Sequence, residues 1–222
     1  MTAREEIFQN LRMGVPGKLP VRRDTPVLRE MSLNRSQMVE QFIDRLKTQT
    51  AETHLVKDKI TALDTLASIL REEGIQYAMI STDTVITSMD LGGWAKDRGL
   101  TIKTRHDFQD REAFKDAIFT QADAGITGAE YGIAESGTLV LFHDHDQPRL
   151  ISLAPVIHIA IIPVERIVPV LESVIEGTKK KRHIPSQISF ITGPSMTSDI
   201  QGRSFKGMHG PKKLMVILVG EV

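Results

Sequence analysis

Two nearly uninterrupted apolar runs place the strongest constraint on the fold of this chain. They extend from Val156 to Ile162 and from Leu214 to Val219, and both are far too short to span a membrane as helices. A strand that is apolar at almost every position is buried on both faces, as in the centre of a parallel sheet covered by helices. The runs therefore predict two central strands of an α/β fold.

The first half of the chain alternates helix and strand patterns. Asp58 is expected to cap a helix whose apolar face extends to Leu70, and Gly74 is expected to end it. Trp94 is placed on the buried side of a later helix. Because parallel strands need crossover connections, this alternation predicts a mostly parallel central sheet flanked by helices. The predicted helices are 35–47, the helix between Asp58 and Gly74, 85–98 and 110–121, and the predicted strands are 53–56, 75–80 and 100–103.

The second half is richer in strand patterns. A single helix is predicted over residues 165–175. The segments TLVLF (138–142) and RLISL (149–153) favour an antiparallel addition. The predicted strands of this half are 124–127, 137–142, 150–153, 156–162, 188–191 and 214–219.

The domain organisation follows from chain-breaking residues near the start. Residues 1–33 are expected to form an N-terminal helix, over 3–12, and an irregular arm that begins where Gly14 and Pro16 interrupt the pattern. Residues 34–222 are expected to form a single α/β domain. The first residues carry acids and no apolar core, so we expect no signal peptide and a cytoplasmic location.

Composition limits the chemistry of the chain. It contains no cysteine, which excludes thiolate-ligated iron–sulfur clusters, and we predict no cofactor in this chain. Lys plus Arg and Asp plus Glu both total 28, so no overall field attracts nucleic acid or an anionic membrane, and any anion must be bound locally. The basic run 179–182 is interpreted as solvated surface.

A first candidate site lies in the glycine-punctuated stretch 127–138. Glu135 could act as a nucleophile or general base if partial burial raised the pKa of its carboxyl group. The alternative is that Glu135 only caps a turn, since acidic residues and glycines are common turn formers. Its neighbours Ser136, Gly137 and Thr138 are candidate ligand-binding residues because glycine permits close approach of the backbone to a ligand.

A second candidate site follows the predicted strand 188–191. The segment 191–200 combines backbone N–H groups with hydroxyls in a composition that suits a phosphate or carboxylate, although a capped turn would have the same composition. Its candidate ligand-binding residues are Gly193, Ser195, Thr197 and Asp199.

A third candidate site precedes the last apolar strand. His209 is a candidate for proton transfer and ligand binding, and Gly210 is a candidate for ligand binding. The alternative is that His209 is a hydrogen-bonded structural residue. The functional interpretation depends on the three stretches converging on one pocket.

The tract His143-Asp144-His145-Asp146 offers metal ligands in sequence. His143 and His145 alternate on a strand and would share a face, but Asp146 starts a segment typical of turns and no third, distant ligand is evident. We therefore predict no metal site. His158, within an apolar strand, is predicted to be a core histidine with its hydrogen bonds satisfied.

Four segments in this order resemble the LUD-domain family: AESGTLVL, RLISLAPVIHIAIIP, FITGPSMTSDIQ and MHGPKKLMVILV. The resemblance is densest over residues 123–222, and GPSMTSDI followed by HGPK is its most specific part. It implies a fold like the NagB/RpiA/CoA-transferase group and participation in oxidising L-lactate to pyruvate beside two iron–sulfur partner proteins, the iron–sulfur lactate utilization proteins. The family's C members lack cysteine clusters, as this chain does.

The sequence is therefore compatible with two functions. The first is a non-catalytic or accessory subunit of a lactate-oxidising complex, whose pocket binds a small anionic ligand. The alternative is an acyl- or phosphoryl-transfer enzyme of the CoA-transferase-like fold that uses Glu135, because a glutamate near a glycine turn forms the covalent intermediate in the related CoA transferases.

Overall fold

The computed structural model describes residues 2–13, 31–181, 185–198 and 204–221. Most of the predicted irregular arm, residues 14–30, lies outside the described residues, as does Asp199. The helices are α1 (Ala3–Met13), α2 (Arg35–Thr48), α3 (Lys59–Glu72), α4 (Thr84–Met89), α5 (Leu91–Lys96), α6 (Arg111–Thr120), α7 (Leu150–Leu153) and α8 (Leu171–Lys179).

The strands of the described residues belong to two sheets and one separate hairpin. They are β1 (Glu52–Val56), β2 (Tyr77–Ile80), β3 (Thr101–Lys103), β4 (Ala124–Gly128), β5 (Tyr131–Ile133), β6 (Thr138–His143), β7 (Ile157–Pro163), β8 (Ile167–Val168), β9 (Gln187–Ile191), β10 (Met196–Ser198), β11 (Ser204–Lys206) and β12 (Lys213–Val219).

The central sheet has six parallel strands in the order β1-β12-β7-β4-β2-β3. The apolar runs form β7 and β12, which pair with each other inside the sheet. Alternate residues bury opposite faces: Ile159 and Ile217 pack with α3 and α4, whereas Ala160 and Val216 pack with α2 and the second sheet. The α/β fold with a parallel central sheet between helices is confirmed.

The second sheet has the order β8-β5-β6-β9 and is antiparallel at β5–β6 and β6–β9. The TLVLF segment is strand β6, as the predicted antiparallel addition requires. The predicted strand at RLISL is wrong, because residues 150–153 form α7. Ile151 is fully buried, and its backbone packs over Gly125 of β4, where a Cβ would lie 1.7 Å from the Ile151 carbonyl oxygen.

Two predicted helices also differ in the structure. The helix predicted over 85–98 is broken into α4 and α5 at Asp90, whose φ is 52°; Gly92 and Gly93 follow and weaken helix formation. The helix predicted over 165–175 begins only at Leu171. Pro169 disfavours helical backbone in the residue before it, and that residue, Val168, pairs with β5 instead.

Local signals at other helix ends behave as predicted. The side chain of Asp58 caps α3 by accepting a hydrogen bond from the Thr61 N–H, at 2.8 Å, and Gly74 ends that helix with a φ of 65°. Within the described part of the chain, no helix is both long enough and apolar enough to cross a bilayer.

The order of the strands defines a switch point in the central sheet. From β2 the chain moves outward to β3, whereas from β4 it moves the other way to β7 and then β12. The direction of winding therefore reverses between the neighbouring strands β2 and β4. Ligands of open α/β sheets bind beyond the carboxyl ends of the strands at such a reversal, which here means beyond Ile80 and Gly128.

Candidate functional site

A cleft of about 390 Å³ lies at this switch point. We call it the switch-point cleft. Segments that follow β2, β4 and β6 contribute most of its lining, so the strand order places it. Its lining residues are Thr82, Asp83, Thr84, Glu130, Phe142, Asp144, Asp146, Gln147, Lys181 and Pro185.

Asp83 ties the two strand ends of the switch-point cleft together. Its Oδ1 accepts a hydrogen bond from the Val85 N–H at 2.9 Å and so caps α4. Its Oδ2 accepts hydrogen bonds from the Gly128 N–H at 3.0 Å and from the Ser81 hydroxyl at 2.5 Å. A Cβ at Gly128 would lie 2.1 Å from Asp83 Oδ1, so this close approach of β4 requires glycine.

Glu130 is the centre of an ion-pair cluster in the same cleft. Its carboxylate lies 3.4 Å from Arg166 Nη1 and also pairs with the Lys181 ammonium group. Arg166 further donates to the Ala129 carbonyl at 3.2 Å and to the Thr84 hydroxyl at 3.1 Å. The interpretation of residues 179–182 as solvated surface thus does not hold for Lys181, which reaches into the cleft.

A tight turn over residues 144–147 forms another wall. Asp144 Oδ1 accepts hydrogen bonds from the N–H groups of Asp146 at 2.9 Å and Gln147 at 3.0 Å. The Gln147 side chain donates to the Gly128 carbonyl at 2.6 Å, and the Thr82 N–H donates to the Asp146 carbonyl at 2.8 Å. The turn is thereby held against the ends of both β2 and β4.

A second cleft, of about 260 Å³, lies at the opposite edge of the central sheet, where β7 and β12 begin. We call it the amino-edge cleft. It brings together four of the sequence-predicted ligand-binding residues, Gly193, Ser195, His209 and Gly210. Their segments are joined by a hydrogen bond from the Ser195 N–H to the Pro211 carbonyl at 2.8 Å. The lining residues are Ser152, Leu153, His158, Phe190, Ile191, Thr192, Gly193, Pro194, Ser195, His209, Gly210, Pro211 and Leu214.

His158 is the buried imidazole of the amino-edge cleft. Its Nε2 lies 2.8 Å from the Thr127 hydroxyl oxygen, but its Nδ1 has no hydrogen-bond partner among the described residues. One ring nitrogen therefore departs from the prediction of a fully satisfied core histidine. Burial lowers the pKa of His158 to about 3, with a smaller contribution from His143, so the ring is neutral at physiological pH.

The remaining sequence-predicted residues that the structure describes line neither cleft. Glu135 and Ser136 occupy the turn between β5 and β6, where the Glu135 N–H donates to the Pro169 carbonyl at 3.1 Å and the hydroxyl oxygens of Ser136 and Thr138 lie 2.6 Å apart. Gly137 packs against the end of α2, and Thr197 is exposed on β10. Stretches two and three thus meet, while the Glu135 turn of the first stretch lies away from them and Gly137 in that turn packs against α2.

The histidine tract divides between the interior and the rim of the switch-point cleft. His143 is buried, with its Nδ1 3.0 Å from the Gln147 carbonyl oxygen and its Nε2 2.8 Å from the Ser189 hydroxyl oxygen. Burial lowers the pKa of His143. His145 and Asp146 are exposed, so His143 and His145 do not face one ion together.

The sequence contains a local signal for the switch-point cleft. The polar run Ser81-Thr82-Asp83-Thr84 stands between a buried strand and a helix start, which is where strand-end sites form. Glu130, which belongs to the glycine-punctuated stretch 127–138, lines the same cleft. Its neighbours across the cleft are distant in sequence, and only the strand order brings them together.

Comparison with known proteins assigns the fold and these motifs to a family. A family model described as the LUD domain matches residues 39–219. This chain belongs to the LUD-domain family. It is also 34% identical over 168 residues to lactate utilization protein C 1 of Bacillus mycoides, covering 73% of this chain and 71% of that protein. The extent of this match places the LUD-domain chain among the relatives of lactate utilization protein C.

Two further similarities agree with this family and fold. Lactate utilization protein C of Anoxybacillus flavithermus is 31% identical over 191 residues, covering 81% of this LUD-domain chain and 80% of its relative. The crystal structure of a DUF162 family protein from Deinococcus radiodurans aligns with a TM-score of 0.57 at 24% identity, covering 85% of this chain and 100% of that one. The structural likeness supports the fold.

Proposed function

We propose that this chain is a component of the L-lactate utilization system and acts with iron–sulfur partner proteins in oxidising L-lactate to pyruvate. The observation that carries the proposal is its similarity to lactate utilization protein C over most of both chains. The oxidation releases two electrons and two protons. Because the chain has no cysteine to ligate an iron–sulfur cluster, the proposal assigns the electrons to the partner proteins.

The amino-edge cleft is the proposed site for a small anionic ligand such as lactate. It combines the Ser195 hydroxyl, the His209 imidazole and the buried His158 ring. If the Thr127 hydroxyl donates to His158 Nε2, the proton of this neutral ring is on Nδ1, which can donate to a carboxylate oxygen. A ligand carboxylate would then supply the acceptor that Nδ1 lacks among the described residues, and a buried donor without an acceptor is unfavourable.

The subunit role is tested by reconstitution. L-Lactate-dependent dye reduction is measured for the two iron–sulfur proteins of the system from the same organism, with and without this chain, and co-purification of the three proteins is measured in parallel. We expect activity to require the chain and all three proteins to co-purify. Unchanged activity in its absence would overturn the subunit role.

The ligand site is tested separately by titrating L-lactate into the isolated chain and recording amide chemical shifts. We expect saturable shifts that are weakened in His209→Ala and Ser195→Ala. The control is His54→Ala, which removes an imidazole from β1 that is paired with Glu52 and lines neither cleft. Absence of shifts, or equal weakening in the control, would overturn the amino-edge site and leave the reconstitution result unaffected.

A further inference from the structure

Three side chains from two separate segments meet at the rim of the switch-point cleft: His106, His145 and Asp146. His106 follows β3, and the other two belong to the turn after β6. The His106 Nε2 lies 3.9 Å from Asp146 Oδ1, and the His145 Nδ1 lies 3.8 Å from the same oxygen. We propose that these three residues bind a divalent first-row transition metal ion, with zinc as the ion that the donor set fits best.

The donor types select this class of ion. Imidazole nitrogens suit zinc, copper, iron and nickel, whereas calcium and magnesium prefer sets made of oxygen. Two imidazoles and one carboxylate are also the protein ligands of zinc sites that keep positions open for water or substrate. The site therefore has coordination positions left for a small oxygen ligand.

The donor atoms are near enough to converge on one ion. Metal–ligand bonds of about 2.0–2.1 Å place neighbouring donor atoms about 3 Å apart, and the donor atoms of all three residues lie within 4.8 Å of one another. The side chains of His106, His145 and Asp146 are 48%, 77% and 60% exposed. Since they are not packed in place, small torsional changes can bring them onto one ion.

The backbone that carries these side chains is held in place without an ion. The Asp146 carbonyl accepts the Thr82 N–H at 2.8 Å, and Asp144 Oδ1 accepts the Asp146 N–H at 2.9 Å. On the other segment, Asp107 Oδ2 accepts hydrogen bonds from the Thr104 N–H at 2.7 Å and the Thr104 hydroxyl at 2.8 Å, which fixes the turn that contains His106. Ligands on preformed turns lose less entropy when they bind an ion.

The charges of the cleft also favour a cation. Four carboxylates, those of Asp83, Glu130, Asp144 and Asp146, line it with one lysine, Lys181. Lys181 and Arg166 both pair with Glu130. In the described part of the chain, no lysine or arginine forms an ion pair with Asp144 or Asp146, so a cation bound at the rim would offset two neighbouring negative charges.

This site adds a third ligand that the sequence did not reveal. His106 is 39 residues from His145 in the chain, and only the neighbouring positions of the β3 and β6 connections bring them together. The ring centroids of the two histidines are 4.8 Å apart. The proposal is independent of the subunit role and of the amino-edge cleft, because it shares no residue with either argument.

Isothermal titration of the chelator-treated, untagged chain with zinc chloride tests the site. We expect one ion per chain for the parent and at least about tenfold weaker binding in His106→Ala, His145→Ala and Asp146→Asn, since even partners outside the ligand shell cost 10–100-fold. Matched controls are His54→Ala and His209→Ala, which remove histidines outside the cluster and should leave the affinity unchanged.

Three results would overturn the proposal. They are absence of zinc binding to the parent, unchanged affinity in all three cluster variants, and equal weakening in His209→Ala or His54→Ala. His145 protects the test against misfolding because its side chain is 77% exposed, so His145→Ala keeps the fold. Retained affinity in this variant alone would therefore count against the site.

Discussion

The Nε2 atom of His158 on β7 lies 2.8 Å from the hydroxyl oxygen of Thr127 on β4. This contact joins two adjacent strands of the central sheet in a region where both side chains are buried. Because the pKa of His158 is lowered from 6.5 to about 3, chiefly by burial, the ring folds in its neutral form. In the unfolded chain the same ring is exposed to water, and it takes up a proton as the pH falls through its ordinary pKa of 6.5.

Stability is therefore expected to fall as the pH drops from 6.5 towards 3. Over this range the unfolded state binds a proton at His158 that the folded state does not, which favours unfolding. The loss from this residue reaches about 2 kcal/mol by pH 5, and His143, whose pKa is also lowered, acts in the same direction. Urea denaturation at pH 7 and pH 5 measures the difference.

The variant His158→Gln isolates this contribution. Glutamine can keep a hydrogen bond to Thr127 but does not titrate, so its loss of stability between pH 7 and pH 5 should be smaller than that of the parent by about 2 kcal/mol. His209→Gln, which removes an exposed imidazole, is the control and should keep the parent's pH dependence. An unchanged pH dependence in His158→Gln would contradict the assignment.

Asp83 is expected to be a structural support of the switch-point cleft. Asp83→Ala removes the cap of α4 and leaves the Gly128 N–H without its acceptor. Loss of a cap costs about 0.5–2 kcal/mol, and an unpaired buried donor costs about 1–3 kcal/mol, so we expect a loss of about 2–3 kcal/mol in urea denaturation.

Asp83→Asn is the matched control for this position. The amide oxygen can still accept from Val85, but the amide nitrogen cannot accept from the Gly128 N–H. The variant should therefore lose less stability than Asp83→Ala by about the 0.5–2 kcal/mol that the cap contributes. Equal losses in the two variants would show that the cap contributes little and that the acceptor of the Gly128 N–H is what matters.

The central strands could be predicted because burial on both faces leaves an unambiguous apolar run. Ile159 and Ile217, on one face, and Ala160 and Val216, on the other, meet different helices, so nearly every position is apolar. The four residues of α7 carry no comparable signal. Leu150 to Leu153 are equally compatible with a strand, and the helix depends on the empty space above Gly125, which belongs to another part of the chain.

The candidate sites could likewise be predicted only where they depend on local sequence. Ser195 and Gly210 could be proposed from the composition of their loops, because small and polar residues beside strands are visible in the sequence. The meeting of His106 with His145 could not, since it depends on which strands are neighbours and on where their connections lead. The sequence can thus indicate which residues are suited to a site, but not which distant residues they will meet in the fold.

Gly125 is expected to be the glycine of β4 that tolerates substitution least. In Gly125→Ala the new Cβ would lie 1.7 Å from the Ile151 carbonyl oxygen, and relieving that overlap requires α7 to move away from β4. Overpacking costs about 1–3 kcal/mol and occasionally more, and we expect about 3 kcal/mol or more here. Gly93→Ala is the control, because nothing lies within 4 Å of its Cβ position.

The two variants should shift the thermal midpoint in opposite directions. Gly93 lies in α5, where alanine is favoured over glycine by about 1 kcal/mol, so Gly93→Ala should raise the midpoint slightly while Gly125→Ala lowers it strongly. A small effect of Gly125→Ala would mean that α7 is displaced at little cost and that the close approach does not stabilise the fold.

Gly137 distinguishes a packing role from a ligand-binding role in the AESGT motif. Its φ is 65°, as is that of Gly74, and for alanine this backbone conformation costs about 1–2 kcal/mol at either site. Only Gly137 also lacks space: a Cβ there would lie 2.6 Å from Arg45 Cβ and 2.8 Å from the Leu46 backbone nitrogen on α2, whereas nothing lies within 4 Å at Gly74.

Gly137→Ala should therefore lose about 1–3 kcal/mol more stability than Gly74→Ala in urea denaturation, because the overlap with α2 adds to the shared backbone cost. Such a difference would show that this glycine is required by the packing of α2 against the β5–β6 turn. Equal losses would show that α2 yields readily, and the motif's glycine would then be better explained by close approach of a ligand to the backbone.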